Sequence, residues 1–179
     1  MQRLRLVALA GAAALALGGC AEATTTIASA DAVARDAGAL DEALAADLLF
    51  IIEEEKLAHD VYVALGEVWD ARIFANISRA EVQHGRLMAD LLDASGLDDP
   101  RSSELGVFSD ATLQALYDDL VAQGADSWDA AVQAGITIEQ TDIADLEATI
   151  AGAPNDVRVV LEKLLAGSQR HLEAFTRQA

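Results

Sequence analysis

Residues 72–95 read RIFANISRAEVQHGRLMADLLDAS, with Glu81-Val82-Gln83-His84 at their centre. Ile73, Ile77, Glu81, His84, Met88 and Leu91 recur every three or four positions, the period of one helix face. A helix turns about 100° per residue, so Glu81 and His84 point the same way, one turn apart. A carboxylate and an imidazole at that spacing can hold one metal ion from a single helix. Gly96 and Pro100 then close the segment, as a glycine cap followed by proline does. Two polar ligand types on an otherwise apolar face need partners from other helices.

The remaining sequence supplies such helices. The chain has 179 residues, is rich in Ala, Leu, Asp and Glu, and contains two prolines, so helix and a single well-cored domain are expected. Residues 41–67 carry a stripe of Leu44, Leu48, Ile52, Glu55, Tyr62 and Gly66, with His59 in the same series. Glu53, Glu54 and Glu55 cannot all face inward on an isolated helix. Glu55 fits the stripe best, Glu54 is the alternative, and two of the three are expected in solvent. A long connection, 97–126, holds a short helix with Ser109 as its expected N-cap and Gly124 as its stop. Ser127 then caps a third long helix reaching Ala151, with Val132, Ile136, Glu139, Ile143, Leu146 and Ile150 inward. Asp142 shares the Glu139 face but lies higher. After the turn at Gly152-Ala153-Pro154-Asn155, a fourth helix runs to Arg177 with Val157, Val160, Leu161, Leu164, Ser168, His171 and Phe175 on one face.

The plan is all-α: a four-helix bundle of two hairpins joined by one long crossover that carries a short extra helix. The levels agree. Glu55 lies 14 residues before the Trp69 turn, and Glu81 and His84 lie 12 and 15 after it. Glu139 lies 15 before Pro154 and His171 lies 17 after it. At about 1.5 Å of rise per residue, these groups share one depth to within a helical turn. A buried carboxylate layer without partners is costly, so the pattern implies a cation or a dense hydrogen-bond network.

Charge and the N-terminus bound the setting. Formal net charge is −18, spread along the chain, which excludes a phosphate backbone as the expected partner. Arg3 and Arg5 precede a short apolar run, Leu6 to Leu17, too short to span a bilayer but fitting a cleaved signal. Leu17-Gly18-Gly19-Cys20 resembles a bacterial lipobox, in which the cysteine becomes a lipid-bearing N-terminus. Residues 1–19 are thus expected to be a lipoprotein signal peptide, 20–40 a flexible tether, and 41–179 the bundle. Cys20 is the single cysteine, so no disulfide framework exists. Losing residues 1–19 removes two arginines and no acid, leaving 10 − 30 = −20.

Glu53-Glu54-Glu55-Lys56-Leu57-Ala58-His59-Asp60-Val61-Tyr62 and Ile73 to His84, with Asp142 to Leu146 and Gly167 to Leu172, resemble an uncharacterised bacterial and archaeal branch of the ferritin-like superfamily. The resemblance covers about residues 44–178. It implies a ferritin-like bundle and a di-iron or di-manganese carboxylate site. The superfamily's Glu seven residues before a Tyr is matched by Glu55 and Tyr62, its Glu-x-x-His by Glu81 and His84, and its third-helix Glu by Glu139. Its second Glu-x-x-His is broken: the fourth helix reads Ser168-Gln169-Arg170-His171, and serine cannot bridge two metals. Either Asp142 compensates, or the site is mononuclear or asymmetric, or it has lost metal.

The expected ligands are therefore Glu55, Glu81, His84, Glu139, Asp142 and His171, holding one or two ions of iron or manganese. Tyr62 is expected in the core with its hydroxyl on a carboxylate. The expected function is oxidative chemistry of the di-iron oxidase, peroxidase or ferroxidase kind, in a membrane-anchored protein of the cell envelope. A non-catalytic metal buffer and a metal-free structural bundle are the alternatives. Expected partners are metal ions, oxygen or peroxide, the membrane through the lipid, and a second copy of the chain, with nucleic acid excluded.

Overall fold

The structure is a computed structural model that describes residues 40–179. The signal segment, Cys20 and nearly all of the tether lie outside the described residues. Among those described there are five helices and no strand: α1 (Glu42–Trp69), α2 (Arg72–Ala94), α3 (Ala111–Asp126), α4 (Trp128–Ile150) and α5 (Asn155–Thr176). None is long and apolar enough to cross a membrane.

Each boundary has a local cause. The Asp41 carboxylate accepts from the Ala43 N–H and opens α1. Asp70 closes it in the left-handed region at φ 47°, where its N–H donates to the Gly66 carbonyl. Aspartate tolerates that conformation better than most residues, so the α1–α2 turn needs no glycine. The α2 end does use one: Gly96 at φ 71°, with the Leu97 N–H returning to the Leu92 carbonyl.

α1 packs against α2, and α4 against α5, each pair a hairpin; α1 also meets α4, and α2 meets α5. Two apolar clusters fill the bundle. One is aromatic and gathers Tyr62, Phe74 and Phe175 under α3. The other is aliphatic and gathers Leu48, Ile52, Met88, Leu146 and Leu161.

The crossover departs from expectation in three ways. The cap of α3 is Asp110, whose carboxylate accepts from the Thr112 and Leu113 N–H groups at 2.7 and 3.1 Å. Ser109 instead donates its hydroxyl to the Pro100 carbonyl. Gly124 does not stop α3, which runs on to Asp126. It serves close packing: a Cβ there would sit 2.8 Å from the Leu65 methyls, and the Gly124 carbonyl accepts from the Trp69 indole.

The third departure concerns the three glutamates, all of which are buried. Neither Glu53 nor Glu54 is in solvent, because the crossover and α3 cover the outer side of α1. Glu53 accepts from the Ser109 and Asp110 N–H groups at 2.7 and 3.1 Å. Asp60 accepts from the Gly106 N–H at 2.9 Å and from Lys56, while Lys56 also donates to the Glu104 carbonyl. Charged side chains of α1 thus pin the crossover down.

The inward face of α4 keeps Val132, Glu139 and Leu146 of the expected stripe, all buried, but is shifted for the rest. Ile136, Ile143 and Ile150 are half-buried, while Ala131, Ala134, Gly135, Ile138 and Asp142 are buried. Small residues let neighbours approach closely; a Cβ on Gly135 would lie 2.6 Å from the Phe175 ring. Close approach decides that shift.

Candidate metal centre

Glu55, Glu81, His84, Glu139, Asp142, Ser168 and His171 are all buried, and each of α1, α2, α4 and α5 contributes at least one. Glu81 is the hub. Its Oε2 lies 2.8 Å from Nδ1 of His84, and its Oε1 lies 2.8 Å from Nδ1 of His171. Each imidazole has a second carboxylate beside it. Glu55 Oε2 is 3.1 Å from His84 Nδ1, and Glu139 Oε2 is 3.6 Å from His171 Nδ1. The two rings stack with centroids 5.4 Å apart. Two half-sites therefore share one carboxylate: Glu55 with His84, and Glu139 with His171.

The contacts within the cluster leave polar atoms over. Glu81 Oε1 and His171 Nδ1 touch without the alignment of a hydrogen bond, and neither atom makes one. Glu55 Oε1 and Asp142 Oδ1 are equally buried and make none. Native interiors seldom leave such atoms unsatisfied. Atoms of Glu81, His84 and His171 lie within 4.8 Å of one another, a spacing at which this buried Glu/His/His group could bind a metal ion.

Electrostatics follow from the crowding. Burial opposes charge on His84, but the Glu55 and Glu81 carboxylates outweigh it and push its pKa up to about 11. His171 rises to about 9 in the same way, with Glu139 and Glu81 outweighing burial. For Glu81 burial works upward, but the two imidazoles bring it down to about 2. Asp142 goes the other way: burial, then Glu139 and Glu81 over the opposing Ser168 hydroxyl, raise it to about 7. Glu55 is raised well above the carboxylate range, by burial first and Asp142 next. Four carboxylates in one apolar bundle repel each other, and protons, cations or hydrogen-bond donors relieve that.

Neighbouring residues shape the cluster. The Tyr62 hydroxyl, fully buried, donates to Glu139 Oε1 at 2.6 Å, as expected for a core tyrosine with a carboxylate partner. Ser168, on α5 where a bridging carboxylate is expected, interacts with Asp142 and donates to the Leu164 carbonyl. His59 stays outside the cluster; its Nδ1 pairs with Asp60 at 2.7 Å. Gly167 was not singled out from the sequence. A Cβ there would fall 2.2 Å from Nε2 of His84, so the glycine makes room for that ring. Its place one residue before the Ser168 stripe was the available signal. A cleft of about 470 Å³ has Glu55 and Glu81 in its lining together with Lys56, His59, Arg86 and Arg101.

A family described as an uncharacterized protein domain, DUF2202, matches residues 45–179. The chain belongs to the DUF2202 family. A relative, the uncharacterized protein MJ0754 of Methanocaldococcus jannaschii, is 42% identical over 132 residues, 73% of this chain and 71% of its own length. The crystal structure of the hypothetical protein MJ0754 from Methanococcus jannaschii matches with a TM-score of 0.76 at 40% identity. It covers 78% of this chain and 81% of that one. The DUF2202 match begins at residue 45, just inside α1, and takes in every member of the cluster.

Proposed function

We propose that this DUF2202 protein is a ferritin-like, carboxylate-bridged metal protein that holds two ions of iron or manganese and uses them in oxidative chemistry, as an oxidase, peroxidase or ferroxidase. The observation that carries the reading is the hub: one carboxylate, Glu81, addresses two different imidazoles with its two oxygens. Glu55 and His84 would hold one ion and Glu139 and His171 the other, with Glu81 bridging. Asp142 beside Ser168 would supply the carboxylate that the fourth helix lacks. Four carboxylates and two neutral imidazoles carry −4, which two divalent cations balance. Carboxylate-rich sites with one imidazole per ion suit iron and manganese, and the bound metal would supply one-electron redox chemistry with positions open to oxygen or peroxide.

The chain's own residues do the rest. The two apolar clusters above and below the layer exclude water and strengthen each charge interaction within it. Tyr62 holds a proton 2.6 Å from Glu139. The cleft over Glu55 and Glu81 gives a small oxidant a way in. With Cys20 lipidated, the bundle would work at the cell envelope, outside the cytoplasm, held off the membrane by the tether.

Metal analysis of protein purified without chelators tests the reading. Two equivalents of iron or manganese per chain are expected, and none in a Glu81→Ala/His84→Ala double variant. Metal content unchanged by that variant rejects the site. Tight binding with no absorbance change on adding oxygen or peroxide selects the buffering alternative. A metal-free structural role draws support from the imidazole–carboxylate contacts themselves, and a melting temperature unmoved by chelation would select it.

A further inference from the structure

We propose that Tyr62, Phe74, Trp128 and Trp69 form an electron relay between the buried carboxylate–imidazole cluster and the surface of the bundle. The inference rests on the metal reading of that cluster. The chain contains two tryptophans and two tyrosines, its readily oxidised aromatic residues. Three of those four stand in one file of rings. Tyr62 lies 6.2 Å from Phe74, Phe74 lies 6.0 Å from Trp128, and Trp128 lies 6.1 Å from Trp69, centroid to centroid.

The file has an inner and an outer end. Tyr62 is fully buried and its hydroxyl donates to Glu139, a member of the cluster. Trp69 and Trp128 are half-buried at the turn end of the bundle, within reach of solvent. Trp69 is held by its indole N–H on the Gly124 carbonyl at 2.9 Å. Phe74 is not itself oxidised; it fills the gap between Tyr62 and Trp128 with a closely packed ring.

The electron count closes. Tyr62 loses one electron to a centre oxidised by peroxide, and its hydroxyl proton passes along the 2.6 Å hydrogen bond to Glu139. Trp128 then returns one electron across Phe74 while Glu139 returns the proton, and Tyr62 is restored. Trp69 refills Trp128, and a one-electron donor in solution, of the quinol or ascorbate class, refills Trp69. One electron enters at the surface for each one withdrawn at the centre.

The relay is tested first without metal. Azide radicals made by pulse radiolysis oxidise the tryptophans of the metal-free protein. Tryptophanyl absorbance is expected to decay as tyrosyl absorbance rises, by a first-order process independent of protein concentration. Tyr117→Phe should leave that rise intact. Tyr62→Phe should abolish it and leave the tryptophanyl radical several-fold longer-lived, and Trp128→Phe should slow transfer from Trp69. A tyrosyl rise that survives Tyr62→Phe, or no rise in the wild type, overturns the proposal. A second measurement adds iron(II) and hydrogen peroxide and looks for a protein radical by paramagnetic resonance, lost in Tyr62→Phe. If iron does not bind, this signal is missing from every variant while the metal-free transfer persists; then the metal reading fails and the conduit stands.

Discussion

Glu53 and Glu55 sit two residues apart on α1 and are buried to nearly the same degree, 3% and 2% exposed. Their surroundings are opposite. Both oxygens of Glu53 are taken by backbone N–H groups of the crossover, and nearby Asp60 is matched by Lys56, His59 and the Gly106 N–H. Those partners outweigh burial and hold Asp60 below the usual carboxylate range. Glu55 has one oxygen beside His84 and one without a hydrogen bond, and shares its space with Asp142 and Glu81. Burial alone therefore does not mark a functional acid. Satisfaction does: the outer acids hold structure, while among the inner ones Glu55, Glu81 and Asp142 each keep a buried oxygen that no hydrogen bond satisfies.

The sharpest way to break that contrast is to remove metal. A ligand present at about a thousand times its dissociation constant stabilises a fold by about 4 kcal/mol. Chelation should therefore lower the melting temperature by roughly 10 °C for a domain of this size. Scanning calorimetry with and without chelator checks this; no shift places the inner acids with the outer ones.

Next comes Gly167→Ala. Its methyl would overlap the His84 ring, so it should destabilise the protein by about 1–3 kcal/mol. It should also weaken metal binding, by displacing a ligand without deleting one. Chemical denaturation together with metal titration reads both effects, and an unaffected affinity would remove His84 from the site.

Glu53→Ala sharpens the other side. Two backbone N–H groups lose a charged acceptor, at a cost of about 1.5–3 kcal/mol. Hydrogen exchange at residues 104–113 should rise while metal stoichiometry stays unchanged. Lost metal binding in this variant would erase the distinction between the two kinds of acid.

The contrast also extends to pH. His84 and His171 titrate in the folded metal-free protein near 11 and 9, against an ordinary 6.5. The folded state binds more protons than the unfolded one between these values, so stability falls as pH rises from 6.5 through 9 and on towards 11. Asp142, raised from 3.8 to about 7, adds a fall over that lower window. Glu81, lowered from 4.5 to about 2, contributes stability that is lost as pH falls through that range. Denaturation of the metal-free protein should thus show a maximum on the acid side of neutral. Metal should flatten the alkaline decline by taking the place of the protons. A metal-free maximum above pH 8 would contradict the crowding of these groups.

Much of this is legible in the sequence. The 3.6-residue period and the Ser127, Gly96 and Pro100 signals located the long helices, because local capping and apolar repetition act within a few residues. Counting from the two tight turns brought Glu55, Glu81, His84, Glu139 and His171 to one level, because helix rise is constant. What stayed hidden depends on neighbours distant in sequence. Glu53 is buried only because the crossover folds over it. Gly124 and Gly135 look like breaks or gaps until Leu65 and Phe175 are seen filling them. Ile136, Ile143 and Ile150 are only half-buried because α4 also turns Ala131, Ala134 and Gly135 to its partners. Periodicity along one helix sets which residues lie on a common face, but which face turns inward is decided by how closely other helices can approach it.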